Sequence, residues 1–141
     1  MIKIQQKIKE IEESLQLIEE GLPVYLEEFR ASKLLKDGIY KRLEFCIQNV
    51  IDILALIYSA KNLGVPSTLD DIFEGLRRNK ALPPKIIILA EKMKGLRNIL
   101  IHKYGKIDDE IVYELLQEDL DDFEEIITAI EEYLKKPKNG K

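Results

Sequence analysis

Apolar residues recur every three or four positions along almost the whole chain, and this helical period constrains the fold more than any other feature. Two stripes follow the same 4,3,4,3,4 spacing, one near each end: Ile4, Ile8, Ile11, Leu15, Ile18 and Leu22; Leu116, Leu120, Phe123, Ile127, Ile130 and Leu134. No segment alternates with period two, as a half-buried strand would. The pattern predicts an all-α protein with a long one-sided helix at each end.

The sequence between the stripes predicts two further long helices and two short ones. Gly64 and Pro66 close a central helix over residues 39–62, and Pro84 opens a helix that runs to about residue 103. Residues 24–35 form a short helix, and the stretch STLDDIFEGLRRN forms another with Ser67 or Thr68 as N-cap. We therefore expect an up-and-down helical bundle of four long helices plus short ones.

Length and composition favour one cytoplasmic domain. A chain of 141 residues with 45% hydrophobic residues suffices for one core, which we place in residues 1–136 with a disordered basic tail at 137–141. Apolar runs such as residues 86–90 are far short of the roughly 20 residues needed to span a bilayer, and the N-terminus lacks a signal-peptide core. The single cysteine, Cys46, lies in an apolar helical pattern and is expected to be a buried small hydrophobe.

Charge is strongly segregated although the net charge is only -4. Residues 77–106 carry nine Lys and Arg against one acid, Glu91, whereas residues 108–132 carry twelve acids and no Lys or Arg. One interpretation is that neighbouring helices of opposite sign attract each other; the other is a local anion site. The negative overall charge argues against indiscriminate nucleic-acid binding, and we expect no DNA specificity.

The central helix is apolar on more than one side. Phe45 and Leu56 point away from its main stripe, so we expect this helix to be buried twice, once against a second subunit.

The only histidine, His102, ends an apolar stretch, in RNILIHKY. Imidazole is suited to proton transfer near neutral pH, and a guanidinium is suited to phosphate oxygens. On an ideal helix Arg97 and His102 lie roughly 140° apart, whereas Asn98 is an i,i+4 neighbour that can orient the imidazole. Arg97 must reach round the helix, the helix must change near His102, or a second subunit must complete the site. The alternative is an ordinary structural histidine.

The R-x4-H-x-Y pattern of Arg97, His102 and Tyr104 resembles the signature of HEPN domains, specifically the HepT-like toxins paired with minimal nucleotidyltransferases. The following GKIDDEIVYELLQEDL is similar to that family's continuation, and RLEFCIQNVIDI is similar to its central helix, where the family carries a polar Glu. The likeness spans roughly residues 4–134.

This resemblance implies a homodimeric, metal-independent endoribonuclease that uses no cofactor. The RNA 2′-hydroxyl would attack the adjacent phosphorus, with His102 as general acid or base, Arg97 on the phosphoryl oxygens and Asn98 in support. Lys94 and Lys103 are candidates for binding RNA or nucleotide phosphates. The resemblance also implies that a nucleotidyltransferase antitoxin attaches AMP to Tyr104, although a tyrosine that merely packs at the helix end fits as well.

Three polar residues of the central helix, Glu44, Gln48 and Asp52, lie one turn apart and either support the cleft or form a solvated edge. Two other functions stay open: a catalytically silent HEPN module that binds nucleotide or protein, and a purely structural helical dimer. Cleavage of single-stranded RNA in EDTA separates the nuclease from the silent module, and a structural dimer predicts no RNA binding at low salt.

Overall fold

The computed structural model describes residues 2–102 and 106–136, and within these ranges it contains α-helices and no strand. The helices in chain order are α1 (Ile2–Gly21), α2 (Leu26–Ala31), α3 (Lys33–Ala60), α4 (Leu69–Asn79), α5 (Pro84–His102), α6 (Asp109–Glu118) and α7 (Asp121–Lys135). The all-α prediction is confirmed. The predicted tail at 137–141 lies outside the described residues.

The long helix α3 is the centre of the bundle. Helices α1, α2, α4 and α5 pack against it, α7 packs on α5, and α6 contacts α2. The predicted stripe of α1 is buried from Ile4 to Ile18, because every member of it falls on the side that faces α3. The buried apolar side chains of the described residues join one core.

By length and composition alone, α3 is also the one described helix that could cross a membrane. However, 56% of its most apolar window is buried within the protein, as expected for the core helix of a bundle. The cytoplasmic location stays a prediction.

Two predicted helix boundaries near the N-terminus are wrong. The central helix begins at Lys33, well before residue 39, and the short helix before it is only Leu26–Ala31. Ser32 separates them with a non-helical ψ of 74°. Gly38, which is exposed inside α3, continues the helix.

The prediction of one long C-terminal helix is also wrong. The helix is interrupted at Asp119 and Leu120, where Asp119 has φ -115° and ψ 7°. The break lets α6 pack on α2 while α7 packs on α5. Leu116, Leu120 and Phe123 are nevertheless all buried. The spacing of apolar residues continues across the helix break, so this spacing gave no sign of it.

Local sequence signals identified the ends of α4 and α5 correctly. Thr68 is the N-cap of α4 and forms a reciprocal capping box with Asp71. Lys80 ends α4 in the left-handed conformation, with φ 58°, and Pro84 opens α5 as predicted.

The segregated charges pair across the bundle. Lys85 of α5 lies 2.9 Å from Glu125 of α7, and Lys92 lies 3.8 Å from both Asp119 and Asp122. Attraction between basic and acidic helices therefore accounts for part of the charge pattern. Each such exposed pair stabilises the fold only modestly.

Cys46 is fully buried, and burial raises the pKa of its thiol to about 12. The thiol is protonated at neutral pH, which confirms the prediction of a buried hydrophobe.

Candidate active site at the end of α5

Arg97 and His102 leave α5 in different directions. The helix continues without interruption to His102, which is its exposed last residue. Arg97 is half-buried and turns toward α3, where its Nη1 donates a 2.8 Å hydrogen bond to Gln48 Oε1. The arginine therefore does not reach round its own helix toward the histidine, and α5 does not change course before His102.

A chain of polar contacts extends from Arg97 across two further helices. Gln48 Nε2 donates to Asp52 Oδ1 at 2.9 Å, and Lys7 Nζ of α1 lies 3.4 Å from Asp52 Oδ2. Two of the three polar residues singled out on the central helix thus connect directly or indirectly to Arg97. The third, Glu44, instead pairs with Lys41, 3.4 Å away on the exposed side of α3.

The remaining candidate residues are placed as follows. Lys94 Nζ donates to Asp70 Oδ1 of α4 at 2.9 Å, so this cation already has an acidic partner. Asn98 is half-buried, and no hydrogen bond to His102 is found among the described residues. Lys103 and Tyr104 lie outside those residues. Within the described ranges, no three His, Cys, Asp or Glu side chains gather as a metal site would require.

The chain that follows the motif is fixed at the start of α6. Asp108 caps this helix by accepting hydrogen bonds from the backbone N–H groups of Glu110 and Ile111. Its neighbour Asp109 accepts a 2.8 Å bond from Lys36 Nζ and a short bond from the Tyr40 hydroxyl. Helix α6, which follows the motif, is therefore attached to α3, the helix whose Gln48 binds Arg97.

These contacts shift two pKa values. Burial opposes ionisation of Asp109, but the hydrogen bonds from Lys36 and Tyr40 outweigh it and lower the pKa of the carboxyl. Burial and the hydrogen bond to Asp109 raise the pKa of Tyr40.

An aromatic cluster supports this attachment. Phe29 of α2 packs edge-on against Tyr40, with ring centres 5.8 Å apart, and lies 5.2 Å from the ring of Tyr113 in α6. Tyr113 also donates a 2.7 Å hydrogen bond to the Pro23 carbonyl. Sequence analysis missed Tyr40, Asp109 and Lys7, because no local signal links residues 45 to 73 positions apart.

A shallow pocket of about 380 Å³ lies between α3 and the end of α5. Its lining includes Asp37, Tyr40 and Glu44 from α3 and Leu100 and Ile101 from α5. The pocket therefore adjoins the end of the helix that carries His102.

Comparison with known proteins places the chain in a family. A model described as Ribonuclease HepT-like matches residues 11–130. The chain is 33% identical over 103 residues to the mRNA nuclease HepT of Shewanella oneidensis, covering 73% of this chain and 77% of that protein. Among solved structures, a tri-AMPylated Shewanella oneidensis HEPN toxin in complex with an MNT antitoxin superposes with a TM-score of 0.82 at 30% identity, covering 92% of this chain and 97% of that one.

A toxin–antitoxin structure with AMP-PNP superposes similarly, with a TM-score of 0.81 and 30% identity over 91% of this chain and 97% of that one. The family match covers most of the chain and agrees with the resemblance carried by Arg97, His102 and Tyr104. The chain belongs to the HepT-like ribonuclease family.

Proposed function

We propose that this protein is the toxin of a toxin–antitoxin system, a metal-independent endoribonuclease whose active site combines Arg97 and His102 from two subunits. The observation that carries the proposal is the geometry of the motif. Arg97 is held against α3 by Gln48, while His102 is exposed at the end of α5, in a chain of the HepT-like family.

In the proposed reaction the RNA 2′-oxygen attacks the neighbouring phosphorus and the bond to the 5′-oxygen breaks. A base removes the 2′-hydroxyl proton, and an acid gives a proton to the departing 5′-oxygen. The chain has one histidine, so two copies of His102 would supply both roles. Arg97 stabilises the charge on the phosphoryl oxygens, and Asn98 supports His102 or the phosphate.

His102→Ala tests this mechanism in purified protein with single-stranded RNA and EDTA. We expect cleavage to fall by about 10²-fold or more, because acid–base catalysis is lost. The melting temperature should barely change, since His102 is exposed. RNA binding without cleavage by the wild type would favour a silent HEPN module, and no binding at low salt would favour a structural dimer.

We further propose that a minimal nucleotidyltransferase neutralises the toxin by attaching AMP to Tyr104. The AMPylated state of the Shewanella oneidensis toxin, in its complex with an MNT antitoxin, supports this step. The tyrosine oxygen would attack the α-phosphorus of ATP and release pyrophosphate. The added phosphate would bring negative charge beside Arg97 and His102, where the RNA phosphate must bind.

Tyr104→Phe tests the modification. Incubation of the wild type with such a partner, ATP and magnesium should add one or more adenylate units to the peptide that contains Tyr104, and RNA cleavage should fall in proportion. The variant should cleave RNA but escape inhibition, because the ring remains and the acceptor oxygen is gone. Inhibition that persists fully in Tyr104→Phe would indicate that the partner blocks the cleft without modifying this residue.

A further inference from the structure

We propose that Gln48, Asp52 and Lys7 form a positioning relay that holds the Arg97 guanidinium in place while leaving its positive charge available to phosphate. This proposal rests on the proposed function, because it assigns to three further residues the control of the arginine that binds RNA. None of the three needs to touch substrate. They act on the reaction through Arg97.

Orientation is the first task of the relay. A glutamine amide has one accepting end and one donating end, and only the accepting oxygen can bind a guanidinium. Asp52 accepts from Gln48 Nε2, which directs Oε1 toward Arg97. The two contacts thus select one orientation of the amide, since the flipped amide would point N–H groups at N–H groups.

Charge is the second task. A glutamate in place of Gln48 would form a bidentate ion pair with Arg97 and compete directly with a phosphate. A neutral amide fixes one guanidinium N–H and leaves the net charge of Arg97 unchanged. Lys7 in turn offsets the negative charge of Asp52, at 3.4 Å. The relay therefore fixes the position of the Arg97 guanidinium, while Lys7 compensates the charge on Asp52 at the far end of the relay.

Burial makes this support necessary. Arg97 and Gln48 are both half-buried, and Arg97 Nε is fully buried with no hydrogen-bond partner among the described residues. Within residues 2–102 and 106–136, the guanidinium donates its hydrogen bond to Gln48. Loss of that bond would leave a partly desolvated cation free to change rotamer, which weakens preorganisation for the phosphate.

Gln48→Glu is the sharpest test, with Gln5→Glu as the matched control. Gln5 is an exposed residue of α1, so the control adds the same charge away from Arg97. We expect Gln48→Glu to raise the KM for RNA roughly tenfold or more, with a smaller effect on kcat, because the new carboxylate competes for Arg97 in the free enzyme. The control should leave both constants near wild type.

A second pair of variants separates orientation from general stability. Asp52→Asn keeps an oxygen that can accept from Gln48 Nε2, so it should retain most activity, whereas Asp52→Ala should lose several-fold in kcat/KM. Lys7→Met leaves the Asp52 charge without its partner and should weaken RNA binding most at low salt, where screening is least.

Arg97→Ala serves as the benchmark for both proposals. If Arg97→Ala cleaves RNA like the wild type, the phosphate role in the proposed function fails. If Arg97→Ala is inactive but Gln48→Glu keeps a wild-type KM while melting normally, the relay alone is rejected. Should Gln48→Glu fail to fold, the comparison of Asp52→Asn with Asp52→Ala decides, and equal activity of those two variants rejects the relay.

Discussion

At the residue scale, the position of the Tyr58 side chain explains why residue 75 is a glycine. Tyr58 of α3 is buried and donates a 3.0 Å hydrogen bond to the Leu63 carbonyl, which fixes its ring over α4. Gly75 lies beneath this ring, and a Cβ at that position would be only 2.5 Å from Tyr58 Cε2. Gly38, by contrast, has no atom within 4 Å of its Cβ position apart from its chain neighbours and the backbone of its own helix.

The same substitution should therefore have opposite effects at these two helical glycines. Gly75→Ala should lower the free energy of unfolding by about 1–2 kcal/mol, because overpacking against the ring outweighs the gain in helix propensity. Gly38→Ala should raise it by up to about 1 kcal/mol, since only the propensity gain applies. Urea denaturation measures both, and a stabilised Gly75→Ala would show that the ring moves aside at little cost.

At the scale of elements, α6 depends on a carboxylate at its first residue. Asp109 joins α6 to α3 through Lys36 and Tyr40, and the partly buried contacts lower the pKa of this carboxyl. A group whose folded pKa lies below its unfolded value contributes stability above the unfolded pKa. That contribution disappears as the pH falls through the folded pKa.

Asp109→Asn should thus change the acid sensitivity of the protein. Its free energy of unfolding should be below wild type at neutral pH, and the difference should shrink as the pH falls from the unfolded pKa of the carboxyl through its lower folded pKa. Urea titrations at several pH values provide the measurement. Glu132→Gln, at an exposed position of α7, is the control and should stay parallel to wild type. A constant difference at all pH values would assign the effect to packing alone.

At the scale of the whole molecule, the bundle leaves one face of α3 uncovered. Leu34 is 89% exposed and Phe45 is 40% exposed, and both lie on the side of α3 that carries Lys41 and Gln48. Leu56, the other residue expected to face a second subunit, instead packs partly on the core.

We therefore expect light scattering at micromolar concentration to report about twice the 16.4 kDa chain mass. Phe45→Glu should shift the protein toward monomer and reduce RNA cleavage with it, because a charge replaces an apolar contact. Val65→Glu, at an exposed loop residue outside this face, should remain dimeric and active. A wild-type monomer that cleaves RNA would contradict the two-copy active site.

The sequence by itself determined the helical class, the buried stripe of α1, the capped start of α4, the proline start of α5 and the family signature at Arg97 and His102. These features are local, since period, caps and a short motif act within a few residues. Tertiary structure alone decided where α3 begins, the break between α6 and α7, and the contacts of Arg97 and Asp109. The Arg97–Gln48 and Lys7–Asp52 contacts join residues 49 and 45 positions apart. A helical period indicates which face of a helix is buried, but the neighbour that meets this face is set by packing of the whole bundle.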